Sequence, residues 1–204
     1  MKANPNHPDT GPAWRATISN EEINELPLGQ FEREISLITD PEELPAIFRK
    51  LRHQHVVGFD TETKPVFVKG QRHKVALMQI GLRDHVYLIR LKQTGMTDEI
   101  LDFLQNPNIL KVGAALRDDV KALQHLKHFA PGGFVELTEL SKKAGIEVES
   151  VKKLTAIVLG FRISKSAQTS NWEAAELNEK QLRYAATDAW VCLSIYEKLK
   201  AHLQ

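Results

Sequence analysis

The stretch "VVGFDTETKP", residues 56 to 65, carries two carboxylates one residue apart, Asp60 and Glu62, directly after an apolar run. In a strand, residues two apart share a face, so these acids stand side by side. Like charges that close raise each other's pKa unless a cation neutralises them. Two exposed strand-end acids satisfy the same pattern, but Val56, Val57 and Phe59 mark the segment as core and favour a half-buried pair. A second acidic site is "VGAALRDDVKAL", where Asp118 and Asp119 open a predicted helix. Negative charge there complements the helix dipole, which is a sufficient structural reason for either acid. The third is "LRYAATDAW", in which Tyr184 and Asp188 lie four apart on one helix face. That face continues as Val191, Cys192, Ile195 and Leu199, so Asp188 needs a partner. The choices are a local ion pair with Arg183 or Lys180, or a bound cation. An oxygen-rich acid set without Cys or suitably spaced His suits hard cations such as magnesium or manganese. Two such ions about 3.5–4 Å apart stabilise the attacking and leaving oxygens in phosphoryl displacement.

The elements that must position these acids follow from periodicity. "REISLIT" reads as a short strand, and Leu44, Ile47, Phe48 and Leu51 fall at helical spacing after Pro41. "HVVGFDTE", "HKVALMQIGL" and "DHVYLIRL" read as three adjacent strands, the last two joined tightly as an antiparallel hairpin. Helix and strand then alternate: "TDEILDFLQ" helix, "NILKVGAA" strand, "RDDVKALQHLKHF" helix, "FVELTEL" strand into helix, and a helix over 151–160 ending at Gly160. "SKSAQTSNWE" is a polar loop. Asn178 with Gln181 forms a capping box for a final helix running to the C-terminus. Three antiparallel strands followed by alternating helix and strand predict one mixed-sheet α/β domain over residues 21–204. Residues 1–20, with Pro5, Pro8, Gly11 and Pro12, are expected to be a disordered arm.

Bulk composition narrows the classes. Formal net charge is +1, so any polyanion must be met by local clusters of basic residues rather than by the whole-molecule field. The single cysteine, Cys192, excludes an internal disulfide framework and any CxxC zinc spacing. No run reaches membrane-span length and the N-terminus lacks an apolar leader core, so a cytoplasmic location without membrane contact is expected.

Taken in order, "FDTET", "VGAALRDDVKAL" and "YAATD" resemble the three motifs of the DEDD superfamily of 3′–5′ exonucleases. The tyrosine four residues before the last aspartate makes the chain resemble the DEDDy branch. Within that branch it is most similar to the ribonuclease D group and the exonuclease domain of the Werner syndrome helicase. "KSAQTSNWEAAELNEKQLRYAATDAW" is similar to the latter over its whole stretch, and the likeness spans roughly residues 30 to 200. The resemblance implies a ribonuclease H-like fold flanked by helices, and hydrolysis of nucleotides from a free 3′ end of DNA or RNA. It implies Asp60, Glu62, Asp119 and Asp188 as ligands of two divalent ions, Mg2+ or Mn2+, and Tyr184 as the residue that orients the attacking water. Asp119 rather than Asp118 matches the second motif, because it falls six residues after Gly113.

Lys64, Lys69, Arg72 and Lys74, with Phe67 among them, suit a phosphate backbone and a stacked base, though lysines also blunt hairpin edges. Arg162, Lys165 and Arg183 are further candidate phosphate contacts. Thr61, between the two acids, points to the opposite strand face and is expected to be structural. A non-catalytic nucleic-acid-binding platform on the same fold is the competing reading, and an endonuclease on that fold is a third.

Overall fold

The computed structural model describes residues 14–66 and 73–204. Six strands, β1 (Glu34–Ile38), β2 (Val56–Thr63), β3 (Val75–Gly81), β4 (His85–Arg90), β5 (Leu110–Gly113) and β6 (Phe134–Glu136), form one sheet in the order β1-β4-β3-β2-β5-β6. As expected, β2, β3 and β4 are antiparallel neighbours. The two edges are parallel additions, β1 on β4 and then β5 and β6 beyond β2. β3 is buried along its whole length, which accounts for its unbroken "VALMQIG" run; Met78 and Gln79 are sheet residues there. This is the ribonuclease H-like mixed sheet that the sequence implies.

Among the described residues eight α-helices accompany the sheet: α1 (Asn20–Glu25), α2 (Leu44–Leu51), α3 (Leu91–Thr94), α4 (Asp98–Gln105), α5 (Leu116–Gln124), α6 (Leu137–Lys143), α7 (Val151–Leu154) and α8 (Glu179–Leu203). Strand alternation sorts the side chains by face. Val57 and Phe59 of β2 pack with Leu44, Phe48, Phe103 and Leu123, so α2, α4 and α5 cover one side of the sheet. Leu77, Val86 and Leu88 pack instead with Ala185, Ala186 and Ala189 of α8 on the other side. Asp60 and Glu62 are even-numbered on β2 and therefore face α8, whereas Thr61 faces α5.

The long helix sits unusually close to the sheet. A Cβ added at Gly58 would come within 1.8 Å of the Ala189 carbonyl oxygen, and one at Gly81 within 2.8 Å of the Ala189 carbonyl carbon. Two glycines opposite an alanine patch thus let backbone approach backbone. The start of α8 is held by the expected capping box. Gln181 N–H donates to Asn178 Oδ1 at 3.0 Å, and Asn178 N–H donates to Gln181 Oε1 at 3.0 Å.

Three expectations shift. The stretch 14–20, assigned above to a disordered arm, packs on the body: Ile18 is buried, Trp14 lies 4.5 Å from the His202 ring, and Ala16 O accepts from Glu147 N–H. Two apolar anchors, Trp14 and Ile18, hold it, too few to give the segment a periodic signature. The helix expected over 117–129 ends at Gln124, where the chain turns so that Phe129 can enter the core. The helix expected over 151–160 is α7 followed by a π-helical turn, Thr155–Leu159, which Gly160 closes with φ +79°. Among the described residues no helix is long and apolar enough to cross a membrane.

Candidate active site

Because α8 rests directly on Gly58, the next even residues of β2 lie beside its side chains. Asp60, Glu62 and Asp188 each offer a carboxylate oxygen, and these oxygens lie within 4.8 Å of one another. None of the three has an ion-pair partner among the described residues. The local pair considered for Asp188 does not form, since Arg183 bonds Glu179 at 2.7 Å instead. Burial is the main cause of the resulting proton affinity. It pushes Asp60 well up, with Asp188, Asp119 and Glu62 adding to the effect. Glu62 is pushed up to about 9 by burial and then by Asp188 and Asp119. Asp188 is pushed up to about 7 by burial, against the opposing pull of the Tyr184 hydroxyl and Lys165. Three half-buried carboxylates with no ion pair among the described residues are an unstable arrangement on their own and a good one around a divalent cation. The donor set is all oxygen, which fits a hard ion.

Asp119 stands beside this group rather than in it. Its Oδ1 accepts from Thr61 Oγ1 at 2.5 Å. Thr61 does point to the opposite face, as expected, yet there it meets the second acidic motif and ties β2 to α5. Burial raises Asp119 to about 6, with the Thr61 hydrogen bond acting the other way and Asp118 and Glu136 raising it further. Asp118 is exposed beside Arg117, at 3.9 Å.

Glu136 explains how Asp119 is held. Helix α5 begins after Ala115, which adopts φ +60° and has no side chain to cap the helix. Glu136, at the end of β6, supplies that cap from a distance: its Oε2 accepts from Leu116 N–H at 3.0 Å. Its other oxygen accepts from Thr138 N–H at 3.4 Å and Thr138 Oγ1 at 3.2 Å, capping α6 as well. One carboxylate therefore anchors two helix starts.

A cleft of about 330 Å3 opens over the acids. Tyr184 and Asp188 line it from α8, and Lys152, Ser164, Lys165 and Gln168 from the segments before that helix. Burial, followed by the charges of Asp188 and Glu62, drives the Tyr184 hydroxyl strongly upward, so it stays protonated. Its ring lies 6.0 Å from buried Trp172. Lys165, expected from the sequence as a phosphate contact, lines this cleft. Lys64 and Lys74 line a neighbouring cleft. Arg162 and Arg183 are occupied otherwise: Arg162 Nε donates to Leu26 O at 3.1 Å and Arg183 Nη1 to Phe31 O at 2.9 Å, both fastening the N-terminal segment. Phe67, Lys69 and Arg72 lie outside the described residues. Lys152, Gln168 and Glu136 were not foreseen, because no periodicity or spacing distinguishes a polar loop residue that faces a cleft.

A family model described as 3′–5′ exonuclease matches residues 35–204. The exonuclease 3′-5′ domain-containing protein 2 of Drosophila melanogaster is 35% identical over 155 residues, covering 73% of this chain and 26% of that protein. The bifunctional 3′-5′ exonuclease/ATP-dependent helicase WRN of Mus musculus is 35% identical over 159 residues, covering 75% of this chain and 11% of that protein. Among solved structures, the Aedes aegypti Nibbler EXO domain superposes with a TM-score of 0.74 at 24% identity, over 86% of this chain and 92% of that one. Escherichia coli RNase D gives a TM-score of 0.74 at 23% identity, over 83% of this chain and 45% of that one. The chain spans about a quarter or less of the two relatives named first.

Proposed function

Since the chain belongs to the 3′–5′ exonuclease family, we propose that it removes nucleotides stepwise from the 3′ end of DNA or RNA, with two divalent ions, Mg2+ or Mn2+, at the acid cluster. The observation that carries this reading is the convergence of Asp60, Glu62 and Asp188 from β2 and α8 onto one point with no ion pair to any of them among the described residues. Asp119, with one oxygen engaged by Thr61, retains its second oxygen as a ligand at the margin of the same cluster.

Hydrolysis adds a water oxygen to the terminal phosphorus, breaks the bond to the 3′ oxygen of the preceding nucleotide and releases a nucleoside 5′-monophosphate. When bound, the ions supply Lewis-acid polarisation and lower the pKa of water. The chain's own contribution is to gather the ligands, to exclude bulk water by burial and to aim the nucleophile. Tyr184, kept protonated by its surroundings, donates its hydroxyl hydrogen to a water oxygen and so fixes the direction of attack. Lys165, on the cleft wall, faces the phosphate and offsets its charge.

The test uses single strands labelled at the 3′ or the 5′ end, incubated with magnesium or manganese, with and without chelator. Stepwise shortening from the 3′ end that stops with chelator, and that is abolished in Asp188→Ala, is expected. Internal cuts would indicate the endonuclease reading, and tight binding without cleavage the platform reading; either one overturns the proposal.

A further inference from the structure

The acid cleft has a neighbour with the opposite charge. Thr63 follows Glu62 on β2 and Asp118 precedes Asp119 on α5, and these two residues border a second cleft of about 470 Å3. Lys64, Lys74, Lys121 and His125 line it. It shares His73 and Lys74 with a third cleft of about 630 Å3, which continues between the start of β3 and the end of α5 to Lys92. The wall there is apolar, made by Leu91, Met96 and Leu126.

The charges along this path are available. Lys64, Lys74, Lys92 and Lys121 have no carboxylate within ion-pair distance among the described residues, whereas the acids on the path each lie beside a basic side chain. Asp118 sits 3.9 Å from Arg117, and Glu173 sits 3.7 Å from His73. The other cleft adjoining the acids, about 450 Å3 beside Tyr184, is balanced: Lys180 and Arg183 face Glu32 and Glu179. A polynucleotide leaving the acid cluster carries a negative charge at every residue, and an aligned row of unpaired lysines is what attracts it. An apolar wall beside such a row receives sugars and base faces.

We propose that this lysine groove is the track that holds the 5′ portion of a single-stranded nucleic acid whose 3′ end lies at the acids. The inference rests on the function proposed above for the position of the 3′ end. The groove adds Lys92 and Lys121, from α3 and α5, to the hairpin lysines expected from the sequence.

The experiment measures binding of the full chain to 5′-fluorescent oligothymidylate and oligouridylate by anisotropy, in chelator so that nothing is cleaved, across a range of salt concentrations. Replacing Lys64, Lys74, Lys92 and Lys121 with Gln is expected to reduce the slope of log affinity against log salt by about 0.7 for each lysine removed. A dinucleotide, too short to reach the groove, shows the weaker slope already in the wild type. Lys50→Gln on α2, near His85, keeps the full slope. Equal slopes with both homopolymers indicate phosphate recognition; a slope for one alone indicates sugar or base recognition in the same track. An unchanged slope in the lysine variants, or a wild type with no salt-dependent binding, overturns the groove. Neither result touches the cleavage assay, so the two proposals fail separately.

Discussion

In the proposed reaction Tyr184 donates a hydrogen bond and supplies no ligand oxygen, which separates its role from that of the acids around it. Tyr184→Phe keeps the ring beside Trp172 and removes only the hydroxyl. Turnover is expected to fall by about a hundredfold, the usual size of a lost positioning or proton-handling group, while Mn2+ affinity measured calorimetrically stays near that of the wild type. An unchanged rate would remove Tyr184 from the mechanism. The acids themselves make a prediction about stability. Glu62 at about 9 and Asp188 at about 7 lie above their ordinary values of 4.5 and 3.8, so between those limits the folded chain holds more protons than the unfolded one. Stability without metal therefore declines as pH rises from about 5 towards 9. In chelator the melting temperature should drop across that range. Glu62→Gln should flatten the decline, and added Mg2+ should flatten it in the wild type. A melting temperature that rises with pH in chelator would show that the cluster is not buried as described.

At the scale of elements, the site depends on two close approaches. Gly58→Ala would drive a methyl into the Ala189 carbonyl, so α8 must shift and carry Asp188 away from Asp60. A loss of at least about 1–3 kcal/mol is expected for such overpacking, read from the denaturation midpoint, together with weakened divalent-ion binding. Wild-type stability in that variant would show that the helix has room to yield. The second approach is the reach of Glu136 across to α5. Glu136→Ala removes the cap from both α5 and α6, at about 1 kcal/mol for each. Amide exchange at Leu116 should accelerate, and ion affinity should fall because Asp119 loses its support. Glu136→Gln keeps only one of the two acceptor oxygens, so it should restore one cap and about half of the lost stability. Equal behaviour of the two variants would mean that the charge, not the cap, is what counts.

For the whole molecule, a net charge of +1 conceals a separation of signs. Acids collect where β2 meets α8, and lysines without an ion pair among the described residues follow the groove along α5 towards α3. Such an arrangement would let a nearly neutral chain attract a polyanion along the proposed track. On the proposed track it also gives the strand a direction, with the 3′ end at the acids and the remainder on the lysines. The N-terminal segment contributes differently. Arg162 and Arg183 bond its backbone at Leu26 and Phe31, so these two guanidinium groups fasten the fold.

Much of this was legible without coordinates. The i, i+2 alternation of Asp60 and Glu62, the i, i+4 spacing of Tyr184 and Asp188, the hairpin of β3 and β4 and the Asn178–Gln181 cap are all local, and local periodicity determines which side chains share a face. The ordered motifs determined the family reading. What remained undecided in the sequence depended on contacts between distant segments. That Asp119 answers to Thr61, that Glu136 caps a helix twenty residues earlier in the chain, and that Arg183 chooses Glu179 and Phe31 O over Asp188 are matters of approach distance between packed elements. Lys121 and Lys92 likewise read as ordinary surface lysines until the sheet and α5 align them with Lys64 and Lys74. Spacing assigns a residue to a face; only the packing of sheet against helix decides what that face meets.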